Sequence, residues 1–473
     1  MESAHILILP FPFQGHIMPL MEVAHKLIDA GFTVTFVNTD YNHRRLLSAT
    51  ADDGHAAFST TTSSRLHLLG IPDGMASDED RKDLGLCCKL ISFGMTPGLM
   101  SVIRAAADEG RPVQRILADQ NMAWALPSAI QMGVRAAVFW PASAAMIAII
   151  LNIPKMIEIG VINEDGLQMK NEVFRLTTGI PEVCLTQLPW NLAGNSADKS
   201  DIFSYIMTNN RATIDHADSI ICNTFMDLEP EAISLLPSII PIGPLFPIEH
   251  HPIGHLWLPT NSSIVLNWLD SHSPGSVLYI AFGSLAIFDE AQVDELAHGL
   301  ELTGRPFLWA VRPGLTTMSP GQLFSSAYLS RVRDRSLLVG WAPQQQVLAH
   351  PSIGCFISHC GWNSTLEGVM NGTRFLCWPY FTDQFLNQSY ICETWKTGLR
   401  MTPEKNGEGE LEGSDVAFIT RQHIKERVEK VMRDDEMRER ALMWKEKAFK
   451  SVSIGGSSYE NFKRIVNIMK TSL

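Results

Sequence analysis

The stretch GCFISHCGWNSTLEGVMNG, Gly354 to Gly372, reads as a buried strand that breaks at His359-Cys360-Gly361 and continues as a helix. The first N–H groups of a helix have no internal partner and lie at the positive end of its dipole, so such a joint suits an anion. A capping reading stands beside this one. Ser364-Thr365-Leu366-Glu367 matches the S-x-x-E box, in which both side chains satisfy backbone donors and bind nothing. A second chemically capable pair lies early in the chain. His16 follows LPFPFQG just ahead of a predicted helix, whose positive end disfavours imidazolium and keeps the ring a neutral base. Asp119, closing RILAD, could hold the other ring nitrogen and stabilise the proton once taken. The alternative is that His16 caps a turn and Asp119 caps the next helix, and the pattern alone weighs the two readings equally. Cys355, His359 and Cys360 are close in sequence but no second ligand pair follows, so no metal is expected.

Side chains of this kind have to be delivered by strand ends. The first half alternates apolar, β-rich runs (HILILPF, FTVTFVNT, RLHLLGI, RILAD, AAVFW, SIICNTF) with helical periodicity such as Leu20-Val23-Ala24-Leu27-Ile28. Such alternation predicts a parallel sheet covered on both faces, a Rossmann-like domain. From Pro241 the text turns proline- and histidine-rich with little periodicity, as in an interdomain linker. The alternation then restarts with SVLYIAFGS, PFLWAVR, SLLVGWAP, GCFISH and TRFLCWPYF as strands, a second Rossmann-like domain. The expected division is a first domain over 1–245, a linker over 246–275, a second domain over 276–450, and a closing helix in 451–473 packing back on the first domain. The acidic, glycine-rich Pro403–Asp415 reads as a mobile surface loop. In parallel α/β sheets ligands bind beyond the carboxyl ends of the strands. That rule selects His16 and Asp119 in the first half, and Ser284, Trp341, His359 to Ser364, and Asp383-Gln384 in the second.

With 473 residues, 45% of them hydrophobic and 19% charged, the chain has ample apolar surface for two domains. A net charge of -12 argues against nucleic acid or an anionic membrane as partner. Eight scattered cysteines without a CxxC pair read as reduced thiols, and MESA leads directly into strand-like HILILPFP, so a cytoplasmic location is expected. AAVFWPASAAMIAIIL is shorter than a bilayer span and carries Pro141 and Ser143, so it reads as a buried strand followed by a buried helix. The expectation is a monomer without membrane insertion.

The combination of motifs carries a resemblance. Trp341 to Gln384, WAPQQQVLAHPSIGCFISHCGWNSTLEGVMNGTRFLCWPYFTDQ, closely resembles the 44-residue signature of plant UDP-glycosyltransferases that glycosylate small molecules. PFPFQGHIMPL, ILADQNMAWA, YIAFGSL and SYENFKRIV are similar to other segments of that family, so the likeness spans nearly the whole chain. It implies a GT-B arrangement, two Rossmann-like domains facing across a cleft, with UDP-sugar on the C-terminal domain and acceptor on the N-terminal one. By the resemblance Trp341 would stack on uracil, the Ala342 backbone and Gln344 would hold the uridine, and Glu367 would take the ribose hydroxyls. His359, Asn363, Ser364 and Ser284 would contact the diphosphate, and Trp362, Asp383 and Gln384 the sugar. His16 becomes the general base and Asp119 its orienting carboxylate, in an inverting displacement that needs no metal and no cofactor beyond the co-substrate. A final Gln384 goes with glucose in this family, so the implied reaction carries glucose from UDP-glucose to a hydroxyl of a flavonoid, phenolic or terpenoid, giving a β-glucoside.

Two departures stand out. Gly372-Thr373-Arg374-Phe375 puts a charge where relatives have a proline, and Pro141-Ala142-Ser143 replaces a threonine or serine directly after the strand, leaving Ser143 as a candidate for the acceptor site. Phe13, Met122, Trp140 and Phe381 lie near strand ends and could line that pocket or belong to the core. Two rival functions are a nucleotide-sugar sensor without transfer, against which His16 and Asp119 argue, and a dinucleotide-dependent oxidoreductase, against which the lack of G-x-G-x-x-G after a strand argues.

Overall fold

The computed structural model describes residues 4–52, 65–78, 80–169, 173–191, 196–245, 262–317, 323–402 and 418–470. The chain forms two compact units, one of Met1–Pro259 with Lys450–Leu473 and one of Thr260–Phe449. Each has the Rossmann-like α/β architecture that the alternation of strands and helices predicts.

The first unit contains β1 (His5–Leu9), β2 (Thr33–Thr39), β3 (Leu66–Ile71), β4 (Arg115–Asp119) and β5 (Arg135–Trp140), a short antiparallel pair β6 (Val173–Phe174) and β7 (Val183–Cys184), then β8 (Ile220–Cys222) and β9 (Ile239–Pro241). Its seven-stranded sheet has the order β3-β2-β1-β4-β5-β8-β9, and its paired strands run parallel. All five residues of β1 and all five of β4 are buried, as expected of strands covered on both faces. Helix Gln14–Asp29 lays Ile17, Leu20, Met21, Ala24 and Leu27 at helical spacing into the core formed by Ile6, Ile8, Val34 and Phe36. The closing helix Ser457–Lys470 contributes Ile465 and Met469 to the same core, and its Ile468 carbonyl accepts a hydrogen bond from Arg115 at 3.1 Å. Strand order reverses between β1 and β4, where Leu9 pairs with Ala118. In open parallel sheets ligands bind at such a reversal, beyond the carboxyl ends of the two adjacent strands.

Among the described residues one helix, Leu84–Asp108, is long and apolar enough to cross a bilayer by length and composition. Its buried stripe recurs every fourth residue, Cys87, Ile91, Met95, Leu99 and Ile103, as in a helix packed on a core. AAVFWPASAAMIAIIL folds as β5 followed by helix Ala144–Leu151, whose residues from Ala144 to Ile150 are buried.

The second unit contains β10 (Val277–Ala281), β11 (Phe307–Ala310), β12 (Ser336–Val339), β13 (Ile353–Ser358), β14 (Phe375–Cys377) and β15 (Gly398–Arg400). Its order, β12-β11-β10-β13-β14-β15, places the reversal between β10 and β13, with Ala281 beside Ser358. Part of the expected linker is corrected here: residues 262–270 form helix Ser262–Asp270, with Val265 and Leu269 buried. The rest of its proline-rich text, 246–261, and the loop Pro403–Asp415 lie outside the described residues. Backbone carbonyls accept the hydrogen bonds of the Arg374 guanidinium. Its Nε donates to Gly354 O at 3.1 Å, and Nη1 to Val431 O and Met432 O at 3.0 Å, at the C-terminal end of helix Arg421–Arg433. A cation there meets the negative end of the helix dipole.

A buried carboxylate locks the loop after β5. Glu229 accepts hydrogen bonds from Ala144 N (2.9 Å), Ala145 N (3.0 Å) and Thr224 Oγ1 (2.7 Å), and burial pushes its pKa up to about 7. Because the folded-state pKa exceeds the unfolded one, stability is greatest below pH 4.5 as far as this group is concerned and falls as pH rises from 4.5 to about 7. In Glu229→Gln the amide NH₂ faces donors, so the variant is expected to lose about 1–3 kcal/mol at neutral pH despite shedding a charge. Unfolding midpoints measured from pH 5 to 8 would decide it: an equally stable variant, or one with the wild-type pH slope, contradicts the assignment.

Candidate active site

In the first unit Phe13 is the N-cap residue of helix Gln14–Asp29, and His16 lies within its first turn rather than ahead of it. Because β1 and β4 are neighbours, the residues following β1 meet the residue ending β4. His16 Nδ1 is 2.7 Å from Asp119 Oδ2. A carboxylate only accepts, so Nδ1 carries the proton and Nε2 presents its lone pair. The Asp119 side chain is 0% exposed and that of His16 25%, so the imidazole stays accessible while its partner is sealed. The other carboxylate oxygen, Oδ1, accepts the N–H of Asn121 at 2.9 Å and caps the turn Gln120–Ala125. Capping and histidine pairing are thus carried by one side chain, one oxygen for each.

Sequence reasoning passed over the residues that hold this turn. Helix Ser196–His216 supplies Tyr205, whose hydroxyl donates to Asn121 O, Asn209, whose Oδ1 accepts Trp124 N at 2.9 Å, and Asn210, which accepts Gln120 Nε2 at 3.1 Å. Phe11 packs edge-on to His16 at 5.3 Å and lies 6.3 Å from the Tyr205 ring. Two adjacent asparagines on the buried side of a helix were the available signal, because asparagine is a poor helix former without a polar partner.

Among the acceptor-site candidates, Phe13 is partly exposed. Met122 (0%) and Trp140 (4%) lie in the core. Ser143 is buried, and its Oγ caps helix Ala144–Leu151 by accepting Met146 N at 3.2 Å while its carbonyl takes Trp140 Nε1. These three side chains therefore have structural work in this conformation. Phe381 belongs to the second unit and is partly exposed.

In the second unit helix Trp362–Asn371 starts at Gly361, which makes no side-chain cap. The capping box is therefore not formed. Ser364 and Glu367 lie inside the helix and join a network instead, in which Gln344 Nε2 donates to Ser364 Oγ at 2.8 Å and to Glu367 Oε2 at 2.6 Å. Gln345 Nε2 reaches Glu367 Oε1 at 3.2 Å, and Tyr279 OH donates to Gln344 Oε1 at 3.1 Å. Burial pushes the Glu367 carboxyl up, the glutamine hydrogen bonds opposing it. Trp341, in the loop after β12, is partly exposed, while Ala342 beside it is buried. Trp362 is 3% exposed, with its ring 6.4 Å from that of Trp395. Asn363 is partly exposed on the same first turn.

Asp383 and Gln384 stand at the start of helix Gln384–Ser389. Gln384 Oε1 accepts the N–H groups of Tyr380 (2.8 Å) and Phe381 (3.2 Å), which fixes its amide orientation and leaves NH₂ as the end available to a ligand. Asp383 accepts from Thr382 Oγ1 at 3.0 Å and Asn387 Nδ2 at 2.8 Å. Thr382 and Cys360 adopt left-handed φ values of 56° and 65°, strain of the kind that gathers at binding sites.

The reversal between β10 and β13 brings Gly283-Ser284 against His359. Gly283 has φ +69°, and a Cβ on it would lie 2.5 Å from His359 Nε2. Ser284 is exposed on this turn. Burial pushes the His359 imidazole down to about 4, opposed by a backbone hydrogen bond with Ala281. Among the described residues no group of three His, Cys, Asp or Glu side chains is arranged to hold a metal.

Comparison with known proteins agrees with this arrangement. A family model described as UDP-glucoronosyl and UDP-glucosyl transferase matches residues 193–444. UDP-glycosyltransferase 83A1 of Arabidopsis thaliana is 36% identical, covering 100% of this chain and 98% of its own length. The 7-deoxyloganetin glucosyltransferase of Gardenia jasminoides is 32% identical, with 99% and 98% covered, and the (R)-mandelonitrile beta-glucosyltransferase of Prunus dulcis is 32% identical, with 98% and 97% covered. Among solved structures, a UDP-glucosyltransferase from Polygonum tinctorium capable of glucosylating indoxyl superposes with a TM-score of 0.81 at 26% identity, covering 100% of this chain and 99% of that one. Os79 from O. sativa in complex with UDP gives 0.78 at 26% identity, with 98% and 100% covered.

Proposed function

Because the chain belongs to the plant UDP-glycosyltransferase family, we propose that it carries glucose from UDP-glucose to a hydroxyl of an apolar plant metabolite, a flavonoid, phenolic or terpenoid, with inversion to a β-glucoside. That it is an enzyme moving a glycosyl group from a UDP-sugar to small acceptors follows from the family itself. The observation that carries the mechanism is the 2.7 Å contact between His16 Nδ1 and the sealed Asp119. In the proposed step His16 Nε2 takes the acceptor hydroxyl proton, and Asp119 stabilises the resulting imidazolium through Nδ1–H. The acceptor oxygen forms a bond to the anomeric carbon as the bond from that carbon to the diphosphate oxygen breaks. UDP leaves with that electron pair.

The second unit's residues are assigned to the donor. Trp341, partly exposed, is assigned to stack on uracil, with the Ala342 backbone and Gln344 beside it, and Glu367 to offer its carboxylate to the ribose. Ser284, His359, Asn363 and Ser364 meet the diphosphate as hydrogen-bond donors. The sugar is read by an amide donor, Gln384, next to a carboxylate acceptor, Asp383, and by the Trp362 backbone. This donor–acceptor pairing and the glucosyltransferase names of several relatives support glucose. Phe13 supports an apolar acceptor beside His16, and the scattered, mostly buried thiols support a cytoplasmic location.

The test is incubation with UDP-glucose, UDP-galactose or UDP-glucuronic acid and a panel of flavonoids, phenolics and terpenoids. Products are followed by mass spectrometry and anomeric configuration by NMR. A β-glucoside with the fastest UDP release from UDP-glucose is expected. An α-linked product, or faster turnover of another donor, would overturn the mechanism or the donor respectively.

A further inference from the structure

We propose that Arg312 is a positioning residue of the UDP site, its guanidinium clamping the Gly283–Ala286 turn against His359 and bringing that turn the fixed positive charge that meets the diphosphate. The inference rests on the donor assignment above. Arg312 lies two residues beyond the end of β11, the neighbour of β10, so it arrives at the same sheet edge as the turn that follows β10. Its Nε donates to Gly283 O at 2.9 Å, its Nη2 to Ala286 O, and its Nη1 to Pro313 O at 3.2 Å. One planar fork therefore grips both ends of the turn that presents Ser284. That turn has no slack on its other side, where a Cβ on Gly283 would come within 2.5 Å of the His359 ring.

The charge is as informative as the geometry. A guanidinium keeps its proton in a protein, and here its bonds go to neutral carbonyls, with no carboxylate paired to it among the described residues. Carbonyl dipoles solvate a cation without cancelling its charge, so a partly buried arginine of this kind favours an anion beside it. His359 feels the same charge, since Arg312 adds to the burial that keeps its ring neutral. Of the residues assigned to the nucleoside, Gln344 and Glu367 are held by a hydrogen-bond network with Tyr279, Gln345 and Ser364 that does not include Arg312. Replacing Arg312 therefore bears on the phosphate side and leaves the network around Gln344 and Glu367 in place.

The experiment titrates UDP and uridine, by calorimetry, into the wild type, Arg312→Met and Arg312→Lys. Arg312→Met is expected to weaken UDP by about tenfold or more while uridine changes by less than about twofold. Arg312→Lys keeps the charge without the fork and is expected to bind UDP at least about threefold more tightly than the methionine variant, but less tightly than wild type. Unchanged UDP affinity in Arg312→Met, equal losses for UDP and uridine, or equal UDP affinity in the two variants would each overturn the proposal. If Arg312→Met does not fold, Arg312→Lys is read alone: a loss of about threefold or more for UDP only supports it, and no loss overturns it. A wild type that binds neither ligand overturns the donor assignment and this inference with it.

Discussion

His16→Ala is expected to lower turnover by about 10²–10⁴-fold, with the KM for UDP-glucose changed by less than about threefold. The imidazole is an accessible group at the β1–β4 reversal whose lone pair is set by a sealed carboxylate, so its removal takes the base and leaves the donor residues of the second unit untouched. Asp119→Asn tests the same pair from the other side. An asparagine that offers its NH₂ to Nδ1 moves the ring proton to Nε2, where the base is needed, so a comparable loss is expected with little change in expression or unfolding temperature. The loss in His16→Ala should shrink for acceptors whose hydroxyl is already ionised at the assay pH, since those need no proton removed. Steady-state rates over a series of phenols of graded acidity provide the measurement. Turnover within about tenfold of wild type for the least acidic phenol would end the general-base assignment.

Gly283→Ala is expected to cost the second unit both stability and UDP affinity. Two effects coincide there, a left-handed φ of +69° and a Cβ position 2.5 Å from His359 Nε2. The first costs about 1–2 kcal/mol for any L side chain. The second forces either the turn or the imidazole aside, and both are assigned to the diphosphate. Gly304 separates these contributions, because it has φ +65° as the C-cap of helix Glu290–Thr303 with nothing within 4 Å of its Cβ position. Gly304→Ala should therefore lose about 1 kcal/mol of stability and keep its UDP affinity, whereas Gly283→Ala should also bind UDP about tenfold or more weakly. Equal UDP affinity in the two variants would show that the contact with His359 has no bearing on the donor.

Much of this protein was legible before any coordinates. Continuous apolar runs such as HILIL and RILAD are buried on both faces only in a parallel sheet, and the restart of the pattern after the proline-rich stretch marks a second one. Strand-end reasoning picked out His16, Asp119, Ser284 and His359 one at a time, and the spacing of Trp341 to Gln384 identified the family. These are local properties: period, breaks and offsets are carried by residues near one another along the chain. What the chain could not announce is which strand lies beside which. His16 meets Asp119 and Gly283 meets His359 because the order of each sheet reverses between β1 and β4 and between β10 and β13, contacts closed across 103 and 76 residues of sequence. The same non-local packing turned a plausible capping box at Ser364 and Glu367 into a glutamine-linked network, oriented the Gln384 amide, and put Met122, Trp140 and Ser143 into structural roles. Arg312 was invisible for the same reason, since its hydrogen-bond partners on the turn after β10 lie 26 and 29 positions earlier and are neutral carbonyls, which every residue type possesses.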